Sequence, residues 1–222
     1  MIVEKNDLQL LNKKYQNMSV EHRFQSIYKD FDANDIMCTS SFGTFSAYLL
    51  KTLSSVAPNQ LIHFIDTGNH FSETHHYRDK LTHLLDLRTE VITASSDIHR
   101  YTRKNETWKS NTTYCCYLKK IRPIEHVTSK HKVWLSGLME WQSDHRSSLN
   151  IFDIRRGILK FFPLIDSSLE ECNTFIEKNN LPRHLLVKRG YHSIGCTHCT
   201  KKGNNRAGRW QGSKKTECGL HL

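Results

Sequence analysis

No apolar run in this chain comes near the ~20 residues that cross a bilayer, which argues against a membrane-embedded protein. The N-terminal stretch Met1-Ile2-Val3-Glu4-Lys5-Asn6-Asp7 lacks the charged-then-apolar order of a secretory signal, so the expected location is cytoplasmic. Acidic residues are the scarcer charge: 22 Asp and Glu stand against 32 Lys and Arg, a formal net charge of +10. That balance points to an anionic partner, whether nucleotide, nucleic acid or acidic protein. No Gly-Lys-Ser/Thr triplet occurs, which excludes a Walker-type phosphate loop. Internal repeats and long low-complexity segments are absent too. The seven cysteines cannot all pair with one another. In a reducing compartment such cysteines serve metal binding or catalysis rather than a disulfide framework.

What is present is enough for one α/β domain with a tail: 222 residues, 37% of them hydrophobic. Residues 1–30 carry Leu8, Leu11, Tyr15, Phe24 and Ile27 at helical spacing. This predicts one or two amphipathic helices. Met37-Cys38-Thr39-Ser40 reads as a strand, followed by the small-residue loop 41–46 and the apolar helix opening Ala47-Tyr48-Leu49-Leu50. Further strands are predicted at 61–65, 90–93 and 132–136, with helices after Gly68 and at about 116–129 and 167–179. Strands alternating with helices predict a doubly wound, mostly parallel sheet. Ligands of such sheets gather at the C-terminal ends of the strands, where Ser41, Asp66 and Gly137 fall. From about residue 188, glycines interleave with Lys, Arg and cysteine, and hydrophobic periodicity stops. Three segments result: an N-terminal helical piece (1–35), an α/β nucleotide-binding body (36–187) and a C-terminal tail without its own core (188–222).

Four constellations carry chemistry. The loop around Ser40, Ser41, Gly43 and Ser46 stands at a strand-to-helix turn, where backbone N–H groups and a helix N-terminus worth about half a positive charge attract an anion. The same pattern also serves as a plain helix cap. Asp66-Thr67-Gly68 can hold ribose hydroxyls or cap the next helix. Cys115-Cys116 and Cys196-Thr197-His198-Cys199 offer four soft ligands. Zinc and a [4Fe–4S] cluster both fit four thiolates, and the adjacent pair suits a cluster whose irons are spread apart. Cys38 and Cys172 read as ordinary buried cysteines. Finally, Cys218 follows a basic stretch. A free thiol has a pKa near about 8.5, and neighbouring cations favour the thiolate.

These residues, from about 36 to the C-terminus, resemble the adenylyl-sulfate and phosphoadenylyl-sulfate reductases of sulfate assimilation and cysteine biosynthesis. The anchors are Ser41-Phe42-Gly43 with Ser46, Phe64-Ile65-Asp66-Thr67-Gly68, Cys115-Cys116-Tyr117-Leu118-Lys119-Lys120 with Pro123, Ser136-Gly137-Leu138, Gln142-Ser143 with Arg146, Ile194-Gly195-Cys196 with Cys199, Arg206-Ala207-Gly208-Arg209-Trp210 and Glu217-Cys218-Gly219-Leu220-His221. The resemblance implies an adenine-nucleotide α-hydrolase-like fold, and a [4Fe–4S] cluster on Cys115, Cys116, Cys196 and Cys199. It implies Cys218 as the nucleophile that forms an S-sulfocysteine, and thioredoxin or glutaredoxin as the dithiol donor. It implies adenylyl sulfate rather than nucleic acid as the partner, bound by Ser41, Gly43, Ser46, Asp66, Gly137, Lys120, Arg206, Arg209 and His221. The last four are expected to offset the charge between an anionic nucleophile and an anionic substrate. A homo-oligomer stays open. So do two other readings: reduction of the 3′-phosphorylated nucleotide, and a non-catalytic nucleotide-binding protein with a Cys₄ metal site. Met139 and Glu140 occupy places where the family has two arginines, and this departure predicts weaker binding of the phosphosulfate.

Overall fold

In a computed structural model, residues 5–213 and 215–222 are described. Residues 1–4 of the predicted N-terminal helix and Lys214 of the basic stretch lie outside them. Helices α1 (Lys5–Gln16) and α2 (Val20–Asp30) lead into strand β1 (Ile36–Thr39) and helix α3 (Ser46–Val56). Then come β2 (Leu61–Asp66), α4 (Ser72–Leu84), β3 (Arg88–Thr93), α5 (Ser96–Lys104) and two short helices, α6 (Thr107–Ser110) and α7 (Thr112–Cys116). A π-helical turn (Tyr117–Ile121) joins α7 to α8 (Arg122–Thr128). The remainder is β4 (Val133–Leu135), α9 (Asp144–Ser147), β5 (Phe152–Arg155), β6 (Ile158–Phe161) and α10 (Leu169–Lys178).

The strands form one sheet in the order β3-β2-β1-β4-β6-β5. All neighbours are parallel except the β5–β6 pair at one edge. Winding reverses between β1 and β4, so the loops leaving their C-terminal ends diverge and leave a crevice. Side chains alternate across the sheet. Ile36, Cys38, Leu135 and Phe161 face the larger core with α1 to α4 and α10. Met37, Trp134 and Ile158 face a smaller one, covered by Ile124 and Val127 of α8 and by Leu220. The α1 and α2 helices belong to the larger core through Tyr15, Phe24 and Ile27, each fully buried. Arg23 locks them to the body by donating to the carbonyls of Tyr15, Gln16 and Pro163 and to both oxygens of Asp166.

The doubly wound parallel sheet and both N-terminal helices match expectation. The β5–β6 hairpin does not follow from the sequence pattern. Each strand has four residues, and the turn places Arg156 and Gly157 at φ 55° and 73°. A primed hairpin turn usually advertises itself with Asn-Gly or Asp-Gly, and arginine in the first position conceals it.

The π turn also has a local cause. Pro123 has no N–H to bond the Lys119 carbonyl, which breaks the i to i−4 ladder. The widened turn separates neighbours in sequence: Lys119 points under β2, whereas Lys120 reaches the crevice.

Candidate active site

A cleft of about 370 Å³ opens at the C-terminal ends of β1 and β4. A larger cavity, about 620 Å³, sits near the opposite ends of the strands and holds none of the expected site residues. The cleft is therefore where the chemistry gathers.

Its floor is the 40–46 loop. Ser40 Oγ accepts from the Phe42 amide at 3.2 Å. Phe42 sits at φ 46°, with its ring buried edge-on against Phe64. Ser46 Oγ turns back to donate to the Gly43 carbonyl at 2.8 Å. No side chain caps the N-terminus of α3, which leaves that end of the helix for an anion. Ser41, Gly43, Ser46, Gly137, Lys120, Arg206, Arg209, Cys218 and His221 all line the cleft, as expected. Asp66 does not. Its Oδ1 accepts from the Gly68 amide at 2.7 Å and closes the turn after β2.

The C-terminal segment forms the roof. Arg209 lies over the Trp210 ring at 4.4 Å and donates to the Cys199 carbonyl. Gly195 leaves room for it: a Cβ there would fall 2.3 Å from Arg209 Nη2, and the guanidinium would have to move. Glu217, 3% exposed, accepts from Arg146 Nε at 2.8 Å and from Ser143 Oγ at 2.9 Å, and pairs with Arg206 at 3.2 Å. Burial would push the Glu217 carboxyl up, but Arg146, Arg206 and Ser143 outweigh it and hold it below the usual range. The segment is thus held by polar contacts as well as by Leu220 on the smaller core and the His221 ring on Trp134, and it carries no hydrophobic core of its own.

Cys218 is half-buried at the centre. Burial alone would raise its thiol. Lys120, the Leu220 amide and Arg209 oppose that and leave it below its ordinary value despite the nearby Glu217. For Lys120, burial works against the charge, and the sulfurs of Cys196, Cys218 and Cys116 more than restore it. The expected cationic role of His221 is corrected. Burial, with Lys160, Arg146 and His145 nearby, pushes it well below 6.5, so it lines the cleft as a neutral imidazole.

The four other cysteines of interest come from two sides. Cys115 and Cys116 end α7, and Cys196 and Cys199 flank a 3₁₀ turn that hydrogen-bonds to the loop after β2. Cys196 Sγ lies 3.1 Å from Thr67 Oγ1. All seven cysteines are free. Among the described residues, no three His, Cys, Asp or Glu side chains are close enough to chelate a single metal ion.

Met139 and Glu140 lie outside the cleft. Met139 is 1% exposed and packs in the larger core, 3.6 Å from Cys172 Sγ, while Glu140 faces solvent. Neither lines the cleft, and Arg146 and Arg183 supply further positive charge there. Among the cleft residues that sequence reasoning did not place in the site are Ser136, Arg146, Arg183 and Glu217, with Lys160 beneath the segment. Lys160 left a signal: a lone lysine inside the apolar run Ile158-Leu159-Lys160-Phe161-Phe162 has to be buried or functional. Ser136 Oγ, Arg206 Nε, Trp210 Nε1, His221 Nδ1 and His70 Nδ1 are buried without a protein partner, and all five residues line the cleft. Orphan polar atoms are rare in native interiors, and their concentration marks a ligand site.

Comparison with known proteins agrees. The family model described as phosphoadenosine phosphosulfate reductase domain matches residues 35–202. Adenosine 5′-phosphosulfate reductase of Lysinibacillus sphaericus is 38% identical over 205 residues, covering 87% of each chain. The same-named protein of Chelativorans sp. is 33% identical over 219 residues, covering 96% of this chain and 89% of its own. Among solved structures, phosphoadenylyl-sulfate reductase from Candida auris in a phosphate complex superposes with TM-score 0.78 at 22% identity, covering 90% of this chain and 99% of that one. The NH3-dependent NAD synthetase of Campylobacter jejuni shares the fold more distantly, with TM-score 0.56 at 15% identity over 83% of this chain and 79% of that one. The adenine-nucleotide α-hydrolase-like fold is thereby shown, and the chain belongs to the phosphoadenosine phosphosulfate reductase domain family.

Proposed function

We propose that this protein is a thiol-dependent adenylyl-sulfate reductase of sulfate assimilation. The observation that carries the reading is Cys218, a thiol held below its ordinary pKa inside a cationic, nucleotide-sized cleft. The Cys218 thiolate attacks the sulfate sulfur. The bond from that sulfur to the phosphate oxygen breaks, AMP leaves with the electron pair, and an S-sulfocysteine forms. A thiolate of a thioredoxin or glutaredoxin then attacks Cys218 Sγ and sulfite departs. The donor's second thiol resolves the mixed disulfide and regenerates Cys218. Two electrons pass from the dithiol to sulfur.

The residues act by position and charge. The 40–46 loop and the N-terminus of α3 suit the α-phosphate. Lys120, Arg206 and Arg209 offset the repulsion between two anions, which is the largest electrostatic demand of the step. His221 offers a hydrogen bond rather than a charge. Glu217 holds Arg146 and Arg206 in place beside the nucleophile.

Cys115, Cys116, Cys196 and Cys199 would hold a [4Fe–4S] cluster. The donor set fits: four free sulfurs, each free to bind a different iron, with Lys119 and Lys120 beside them to balance anionic charge. Burial pushes Cys116 and Cys199 up to about 12 and about 11, so their thiolates need a bound cation. When bound, the cluster would tie the π turn to the C-terminal segment, its net negative charge balanced by Lys119 and Lys120. Free thiols throughout suit the cytoplasm.

An anaerobic assay tests this. Sulfite should appear from adenylyl sulfate with thioredoxin, and Cys218→Ser should abolish it while AMP binding and brown colour persist. A higher kcat/KM on the 3′-phosphorylated nucleotide would reassign the substrate. A colourless, zinc-loaded protein with no turnover would leave a binding protein instead.

A further inference from the structure

Lys160 is a buried side chain that the proposed chemistry leaves without a task. It lies in β6, opposite Trp134 of β4, on the sheet face that carries the smaller core. None of its surface reaches solvent. Its Nζ sits over the Trp134 ring at 3.0 Å and donates to the Leu220 carbonyl at 3.3 Å. The ring itself is fixed, since Trp134 Nε1 donates to Thr39 Oγ1 at 2.7 Å. The segment that carries Cys218 therefore contacts Lys160 directly. Gly219, at φ 94°, lets that segment turn down onto Trp134, where the His221 ring settles at 5.5 Å.

A cysteine that must meet first a nucleotide and then a protein thiol has to leave the cleft between the two events. The segment's underside decides how readily it does so. Three of the polar clamps that hold it are Glu217 on Arg146, the His221 carbonyl 3.1 Å from His145 Nε2, and the Leu220 carbonyl on Lys160. The seat at position 160 differs from the other two because, with the segment down, it has no solvent exposure at all. An apolar side chain there would gain from burial at about 25 cal/mol per Å² and lose by exposure, and so would glue the segment in place. A lysine has a hydrogen-bond partner in both states, and its burial opposes the docking that hides it.

We propose that Lys160 is a positioning residue for Cys218: a polar seat that registers the 217–221 segment through the Leu220 carbonyl and keeps its docking reversible. The inference rests on the reading of Cys218 as a nucleophile that visits two partners. Burial pushes the seated Lys160 ammonium down to about 6. Lifting the segment returns it to water, where it takes up a proton. Docking is then strongest at high pH and weakens as pH falls from about 10 toward 6, by up to tenfold per unit. The charged or titratable groups facing Lys160 are Arg156 in the hairpin turn, Asp153 across from it on β5, and Cys218 and His221 above.

Two measurements test this without any nucleotide, so their failure is separate from failure of the enzymatic reading. The first is the rate at which a bulky polyethylene-glycol maleimide modifies Cys218 in the full-length protein, followed by peptide mass mapping. Lys160→Met should slow it about tenfold, and Lys160→Gln should stay within about threefold of the parent. Equal rates in all three, or faster modification in Lys160→Met, would overturn the proposal. The second needs no substitution at 160. In Cys218→Ser protein, which removes the thiol's own titration, amide exchange at Leu220 and His221, corrected for intrinsic rates, should show protection rising between pH 6.5 and 8.5. A flat profile would overturn it.

Discussion

At the residue scale, the cleft depends on a few positions that hold its charged side chains in place. Gly195→Ala puts a methyl where the Arg209 guanidinium lies. Arg209 must then leave its stack on Trp210, and the site loses one cation beside Cys218. The expected result is a fall in kcat/KM of about ten- to a hundredfold, roughly 1.4–2.8 kcal/mol of transition-state stabilisation, with little change in Tm. A fall in Tm of more than a few degrees with kcat/KM intact would reassign Gly195 to packing. Glu217 is the opposite case, a buried anion inside a cationic cleft. Glu217→Gln leaves Arg146 and Arg206 without their counter-charge, and breaking such a buried pair costs about 3–5 kcal/mol. Much of that falls on docking of the segment rather than on the body, so trypsin should cut after Arg206 or Lys215 faster while the far-ultraviolet circular dichroism is unchanged. Legibility at this scale was uneven. That Cys218, Arg206, Arg209 and the small loop residues share one cleft was readable, because their types and spacings are chemical statements in themselves. The neutrality of His221 was not, because it follows from what packs around the ring. That Met139 packs in the core and Glu140 faces solvent was not legible either, because sequence does not say which way a residue points.

At the scale of elements, the parallel strands and their helices could be read because buried strands are continuous apolar runs bounded by small residues. The β5–β6 hairpin and the π turn could not, since one hides behind Arg156 and the other behind an ordinary helical pattern interrupted by Pro123. The C-terminal segment is the element with the clearest pH response. Its Glu217 has a lowered pKa when docked, so the stability this group contributes is complete above the ordinary carboxylate value near about 4.3 and is lost as pH falls through and below it. Acidification should therefore release the segment before the sheet unfolds. A plot of Cys218-segment proteolysis with an acid-active protease should turn upward at a higher pH than the loss of circular dichroism. Coincident transitions would show that the segment and the body unfold as one unit.

Over the whole molecule, the fold splits labour between its two sheet faces. One face carries the larger core with five helices, and the other has a small core whose cover includes the working segment. The protein can thus move a piece of its surface without opening its main core. The edges of the sheet matter as well. On the β5 side, Asn12 of α1 donates to the Phe152 carbonyl at 3.0 Å and accepts from the Phe152 amide at 2.9 Å, so a side-chain amide stands in for a neighbouring strand. That makes α1 a guard against self-association as well as part of the core: an uncovered strand edge is a template on which a second sheet can grow. Removing residues 1–18 should leave a protein that scatters light on mild warming, and Asn12→Ala should do so more weakly. If both variants sediment as the parent does, the edge is protected by something other than Asn12.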